Sequence, residues 1–263
     1  MKKLLFLFLF ITSNIYAQDS TVYRQVEEVT LKDGISQEEY EDFEAFWKTV
    51  KAKHIQEGKL MGWFLWKTDP KSNDNNPWAD YVIINVFSSK AQMDEMMSKP
   101  GNWWVDDIQK AHKGKTKRSI IKKYTQHTTE NKYRAKSVTY TNKDISSFVT
   151  EGVSEPEIGT MGNYIGMEQL NDDYVAFETK HFAPWHQKSG TRLYWELNEI
   201  VDRTDNAYKP VTHTVFEIIN PENPKGNAAN TTYSFAEEMA TKYGLESRKM
   251  HGSMQVKLVN FSM

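Results

Sequence analysis

The chain has 263 residues, 33 basic against 35 acidic side chains, eight Trp and no cysteine. The missing thiols exclude disulfides, cysteine nucleophiles, thiolate metal sites and lipid attachment at a cysteine. A net charge of −2 does not suit a general nucleic-acid binder, and a mean hydropathy of −0.68 is that of a soluble composition.

Residues 1–17 have the order of a cleavable signal peptide. Lys2 and Lys3 precede the apolar run Leu4–Ile11, a more polar stretch follows, and Ala17 stands before Gln18. Eight apolar residues are too few to span a bilayer, for which about twenty are needed, so the expectation is export without a stable membrane anchor. The destination is periplasmic or secreted.

From residue 18 the chain reads as two copies of one pattern. HIQEGKLMGWFL, beginning at His54, aligns without a gap on HQKSGTRLYWEL, beginning at His186. His54 meets His186, Gly58 meets Gly190, Trp63 meets Trp195, and Leu65 meets Leu197. Upstream, after a two-residue gap, Tyr40, Phe43 and Glu44 match Tyr174, Phe177 and Glu178. Low identity with conserved order is the mark of an internal repeat.

In the first copy, residues 22–31 alternate like a strand. Asp33-Gly34 signals a turn, and Ser36 with Glu39 signals a helix start. Tyr40, Phe43, Trp47, Val50 and His54 then form one helical stripe, closed by Gly58. Strands are expected at 60–68, 81–87 and 133–140, with a polar loop at 69–77 and a broken helix from Ala91 past Pro100-Gly101. The second copy offers strands at 164–170, 193–201, 211–219 and 254–261. Its helices are expected from Asp172 to about His186, disturbed at Pro184, and from Phe235 to Gly244. Residues 142–157 are polar and read as a linker. The division is therefore a leader at 1–17, a first repeat at 18–141, a linker at 142–157 and a second repeat at 158–263.

Each copy is β-α-β-β-α-β, a ferredoxin-like unit of class α+β whose free sheet face needs a cover. With Tyr40, Phe43-Glu44, Trp47, His54, Gly58 and Trp63 in this order, the chain resembles the dimeric α+β barrel superfamily. The resemblance implies two tandem repeats closing an intrachain barrel. It also implies a family that includes cofactor-free monooxygenases, haem-using enzymes and members without established activity.

His54 and His186 are the candidate catalytic residues, as base or haem ligand, because they recur at one place in both copies. The ordinary alternative is a histidine held locally at a helix C-terminus. Trp47, Trp66, Tyr81, Asn85 and His213 are the candidate ligand-binding residues. Tyr81 and Asn85 share a strand face, and a polar Asn in an apolar strand needs a partner. Glu44 and Glu178 are flank carboxylates, and their ordinary role is a solvated charge.

No metal site is expected. His181 and His186 lack the HExxH spacing, and the Asp69–Asn76 loop lacks the glycine and glutamate of a calcium loop. The Lys-rich segment Lys110–Lys123 reads as a solvated face. Phosphate-loop, nucleophile-elbow and dinucleotide fingerprints are absent from the sequence. The leading expectation is an exported protein binding a small apolar or aromatic molecule. An oxygen- or haem-using oxidoreductase and a purely structural module are the alternatives, the cofactor is left open, and a homo-oligomer is allowed.

Overall fold

The computed structural model describes residues 21–69, 78–153, 156–224 and 234–263. The leader, and the loop from 70 to 77, lie outside the described residues. The first repeat comprises β1 (Tyr23–Leu31), α1 (Gln37–Gln56), β2 (Gly62–Thr68), β3 (Tyr81–Phe87), α2 (Lys90–Met97), α3 (Trp103–His112), α4 (Arg118–Thr129) and β4 (Arg134–Val149). The second comprises β5 (Met161–Gln169), α5 (Asp173–Phe177), a π-helical turn (Glu178–Phe182), α6 (Ala183–Ser189), β6 (Arg192–Arg203), β7 (His213–Ile219), α7 (Phe235–Glu246) and β8 (Arg248–Ser262).

The eight strands close into one barrel in the order β1-β3-β2-β8-β5-β7-β6-β4. All pairs are antiparallel. Each repeat contributes a four-stranded sheet with its first and third strands in the middle. The two sheets join where β2 meets β8 and where β4 meets β6. Closure leaves no unpaired strand edge.

β4 corrects the linker expected at 142–157. It continues to Val149, and its second half pairs with β6 from Tyr140↔Arg203 to Val149↔Tyr194. The polarity that suggests a linker belongs to the barrel interior. Asn142 Nδ2 donates to Thr214 Oγ1 at 2.8 Å, and Asp144 accepts from Arg24 Nη1 at 3.0 Å. Arg24 also reaches Glu196 at 2.8 Å and Asn198 at 2.8 Å, tying β1 to both strands of the seam. Burial opposes the Arg24 charge, but Glu196, Tyr194 and Asp144 outweigh it and hold the guanidinium protonated.

Period-two alternation gives each strand one face toward the interior and one toward the helices. Val26, Trp66, Val82, Ile84, Tyr140, Tyr164 and Phe216 pack inside the barrel. Trp63, Leu65, Tyr81 and Ile83 pack outward beneath α1, α3 and α4. Trp195, Leu197 and Val215 do the same in the second repeat. Trp63 and Trp195 are fully buried, each worth a few kcal/mol by area removed from water.

Local signals explain the helices. Ser36 Oγ accepts from Glu39 N at 3.1 Å and starts α1, and Gly58 leaves it at φ +69. Glu39 turns away from a reciprocal cap toward Lys132 Nζ at 2.6 Å. Residues 118–123, the end of the segment that reads as a solvated basic face, open α4, which buries Ile121 and Tyr124 against α1. Gly244, expected to end the last helix, lies inside α7, where a Cβ would sit 1.8 Å from the Phe177 ring.

The π turn accounts for the two-residue gap between the repeats. Twelve steps separate Tyr174 from His186, whereas fourteen separate Tyr40 from His54. At about 100° per residue, an unbroken α-helix would leave His186 about 120° off the Tyr174 face. The wider turn unwinds the helix, and both residues are buried against the sheet. Pro184 follows at the start of α6, where its missing N–H costs least.

Candidate functional site

A glutamate–arginine pair sits beneath the first helix of each repeat. Arg134 Nη2 donates to Glu44 Oε1 at 3.0 Å, and Arg248 Nη1 donates to Glu178 Oε1. Glu44 and Glu178 are 2% and 0% exposed, so neither is a solvated flank charge. Each arginine opens the last strand of its repeat. In the first repeat Trp63 borders the same cavity as the pair, and the buried Nε1 atoms of Trp63 and of its counterpart Trp195 have no hydrogen-bond partner.

In the first repeat this arrangement borders a cavity of about 210 Å³ between α1, the C-terminal end of α4 and the sheet. Its polar floor is a charged chain. Arg134 bridges Glu44 and Glu27, with Nη1 at 2.6 Å from Glu27 Oε1. Burial works against the Arg134 charge, but Tyr40, Glu27 and Glu44 raise its affinity for the proton. One wall is aromatic, from Trp47, Trp63 and Tyr133. Asn85 Nδ2 donates to Gln25 Oε1 at 3.2 Å, and its buried Oδ1 has no partner.

Lys51 completes the cavity. It follows Glu44 and Trp47 on one stripe of α1, at i, i+3 and i+7. Its ammonium lies 5.9 Å from the Trp47 ring centroid. Among the described residues it makes no ion pair or side-chain hydrogen bond. Burial lowers its pKa to about 8, opposed by Glu44 and Glu27 and reinforced by Arg134. The half-buried amine is therefore partly neutral near physiological pH.

The second repeat has diverged at the matching positions. Glu217 stands where the first repeat has Asn85, and it is paired with Arg192 at 2.5 Å and Asn163 at 3.1 Å. Phe177 and Phe182 stack on Arg248, with centroids 5.4 and 4.6 Å from the guanidinium. His181 takes the helix place of Trp47. Burial raises the Glu178 carboxyl to about 7 despite Arg248.

The remaining candidates fall in different places. Trp47 and Asn85 line the first-repeat cavity. Tyr81 shares Asn85's face, but its hydroxyl donates to Glu41 at 2.8 Å under α1. Its counterpart His213 packs edge-on against Tyr174 at 5.0 Å and bonds to Thr212 at 2.9 Å, and burial lowers it to about 4. Trp66 does not join them. It points into the barrel and packs against Phe216 at 4.8 Å, because it is three residues from Trp63 and so has the opposite strand parity.

His54 and His186 border neither cavity described here. His54 Nε2 donates to Asp107 Oδ2 at 2.9 Å and fastens α3 to the end of α1. His186 Nδ1 bonds Thr191 Oγ1 at 2.7 Å, and burial lowers it to about 3. Their unpartnered nitrogens, Nδ1 of His54 and Nε2 of His186, are both buried. Neither histidine thus presents a nitrogen to either of these two cavities, as a haem ligand or base acting there would need to. Arg134 and Lys51 were not among the sequence candidates. Lys51 was legible in the Glu44–Trp47 stripe, whereas Arg134 and Arg248 fall outside the constant repeat offset.

The chain is a dimeric α+β barrel made within one polypeptide from two ferredoxin-like repeats. No family model and no curated protein matches it. Among solved structures it is similar to two putative monooxygenases. The one from Lactobacillus acidophilus NCFM is 12% identical, with a TM-score of 0.53 over 92% of this chain and 96% of that one. The one from Fusobacterium nucleatum is 8% identical, with a TM-score of 0.52 over 93% and 95%. At these identities the likeness is one of fold.

Proposed function

We propose that this is an exported small-molecule-binding protein whose ligand is a flat aromatic carrying an acidic hydroxyl or carboxylate. Its site is the first-repeat cavity. The observation that carries the reading is the set of polar groups left without partners around an aromatic wall: Lys51 Nζ, Trp63 Nε1 and Asn85 Oδ1. Buried polar groups are ordinarily satisfied, and a ligand that accepts from Lys51 and from Trp63 and donates to Asn85 would satisfy these three. The charged floor makes a purely apolar ligand a poor match.

Lys51 supports a second, enzymatic reading. A neutral amine with a pKa of about 8 can take the proton of a ligand hydroxyl, giving an ammonium and a phenolate. An electron-rich phenolate is the form that reacts with oxygen, and the fold neighbours named as monooxygenases make this reading worth testing.

The test is a titration with 3-hydroxy-2-naphthoate, read by tryptophan fluorescence and an oxygen electrode. Saturable quenching, weakened tenfold or more by Lys51→Met, is expected, since a hydrogen bond to a charged group is worth about 1.5–3 kcal/mol. Equal binding by the wild type, Lys51→Met and Asn85→Ala would remove the site. Oxygen uptake abolished by Lys51→Met would establish the enzymatic reading.

A further inference from the structure

The barrel itself holds a second, larger cavity, of about 550 Å³. It lies toward the end of the barrel away from Arg24, four residues along β1 at Glu28. Four aromatic rings face it, from Trp78, Tyr140, Tyr164 and Tyr208. Glu28 is the one carboxylate among the residues that line it.

Glu28 is 8% exposed, and among the described residues it has no hydrogen-bond donor and no ion-pair partner. The other charged or titratable groups facing the chamber are Lys136 and His251. Lys136 is exposed at the rim and beyond ion-pair distance of Glu28. His251 is already engaged, donating from Nε2 to Glu168 at 2.6 Å and accepting at Nδ1 from the Tyr208 hydroxyl at 3.2 Å. An enclosed carboxylate without a counter-charge ordinarily costs several kcal/mol.

The aromatic wall is built into the backbone. Gly166 of β5 and Gly252 of β8 are register partners, and the Trp78 indole lies across both. A Cβ on Gly252 would stand 2.3 Å from Trp78 Cζ2, and one on Gly166 would stand 3.4 Å from Cη2. Two adjacent positions without side chains thus seat the ring over the barrel end. Trp78 in turn meets Tyr164 edge-on at 6.4 Å.

Aromatic faces attract cations, most strongly where water is excluded, and a carboxylate among them supplies the neutralising charge. We propose that this chamber binds a small organic cation of the substituted-ammonium class, with Glu28 as counter-ion and the Trp78, Tyr140, Tyr164 and Tyr208 rings as its cage. This site is separate from the first-repeat cavity and shares no lining residue with it.

Calorimetric titration of the whole protein with choline, beside its neutral isostere 3,3-dimethyl-1-butanol, tests the assignment. Choline is expected to bind at least tenfold more tightly than the isostere. Glu28→Gln keeps shape and removes charge, and should weaken choline at least tenfold. Lys136→Met removes the opposing charge at the rim and should tighten it. Both substitutions leave the apolar core untouched, and thermal melts of each variant report folding directly. Absence of choline binding at millimolar concentration, equal binding of the isostere, or Glu28→Gln binding as the wild type does would overturn the proposal.

Discussion

Glu44 and Arg134 meet at 3.0 Å beneath α1, one from the middle of the first helix and the other from the start of the last strand of the same repeat. The pair joins elements ninety residues apart, and Glu178 with Arg248 repeats it in the second half. The carboxylates are fully enclosed, whereas the arginines are partly exposed along their length. Removing Arg134 strands the buried Glu44 charge, whereas removing both leaves only the partly exposed Glu27 without its partner.

Arg134→Met should therefore cost about 3–5 kcal/mol of unfolding free energy. The double variant Glu44→Gln with Arg134→Met should recover a large part of that loss. Urea unfolding of the two variants and the wild type measures both. Equal losses in the single and double variants would show that the stem of Arg134, rather than its charge, carries the effect.

Strand parity and helix periodicity made much of this fold legible. β3 at 81–87 is the expected strand, and the stripe Tyr40, Phe43, Val50 and His54 is the buried face of α1. The second half of β4 was not legible, because its inward residues are polar. Asn142 and Asp144 look like linker until Arg24 and Thr214 are seen opposite them. The same physics obscured the site. Arg134 and Glu44 are paired by closure of the sheet against α1, and no local pattern couples positions ninety apart. Trp66 was misplaced for a simpler reason, since one odd step along β2 from Trp63 reverses the face.

Gly244 sets two effects against each other. Alanine in a helix is favoured over glycine by about 1 kcal/mol. Here, however, a Cβ would stand 1.8 Å from Phe177 Cδ2, far inside contact distance. Overpacking of this kind costs about 1–3 kcal/mol, so Gly244→Ala should lower stability. Adding Phe177→Leu should restore it by making room. A thermal melt in which Gly244→Ala is more stable than the wild type would show that α7 can move off Phe177.

Lys51 should titrate apart from the other lysines. With its pKa lowered to about 8, it is the amine expected to acylate while exposed lysines, near 10.4, remain protonated. Brief treatment with acetic anhydride at about pH 8, followed by peptide mass spectrometry, reads the order. Arg134→Met removes a neighbouring positive charge and should raise the Lys51 value, slowing its acylation. Lys51 reacting no faster than Lys110 would contradict its placement in the cavity.

The leader expectation has a direct measurement. Expressed with its own first residues, the protein should leave the cytoplasm and begin at Gln18. N-terminal sequencing of the exported fraction shows the cut. Retention in the cytoplasm with Met1 intact would refute export.

Glu28 gives the chain a pH dependence whose sign is fixed by its burial. Its folded pKa, about 7, lies above the ordinary 4.5, raised by burial and lowered in part by Lys136. Between these values the folded chain keeps a proton that the unfolded chain has released. The contribution to stability is therefore full below about pH 4.5 and is lost as pH rises through 7. A carboxyl raised from 4.5 to about 7 corresponds to a loss on the order of 3 kcal/mol. Glu28→Gln cannot release the proton, so its stability should exceed that of the wild type at pH 8 and match it below about pH 4.5. The difference between two urea titrations at each pH isolates this group from every other one that titrates. A constant difference across the range would mean that Glu28 is ionised throughout and already neutralised by a cation retained in the barrel.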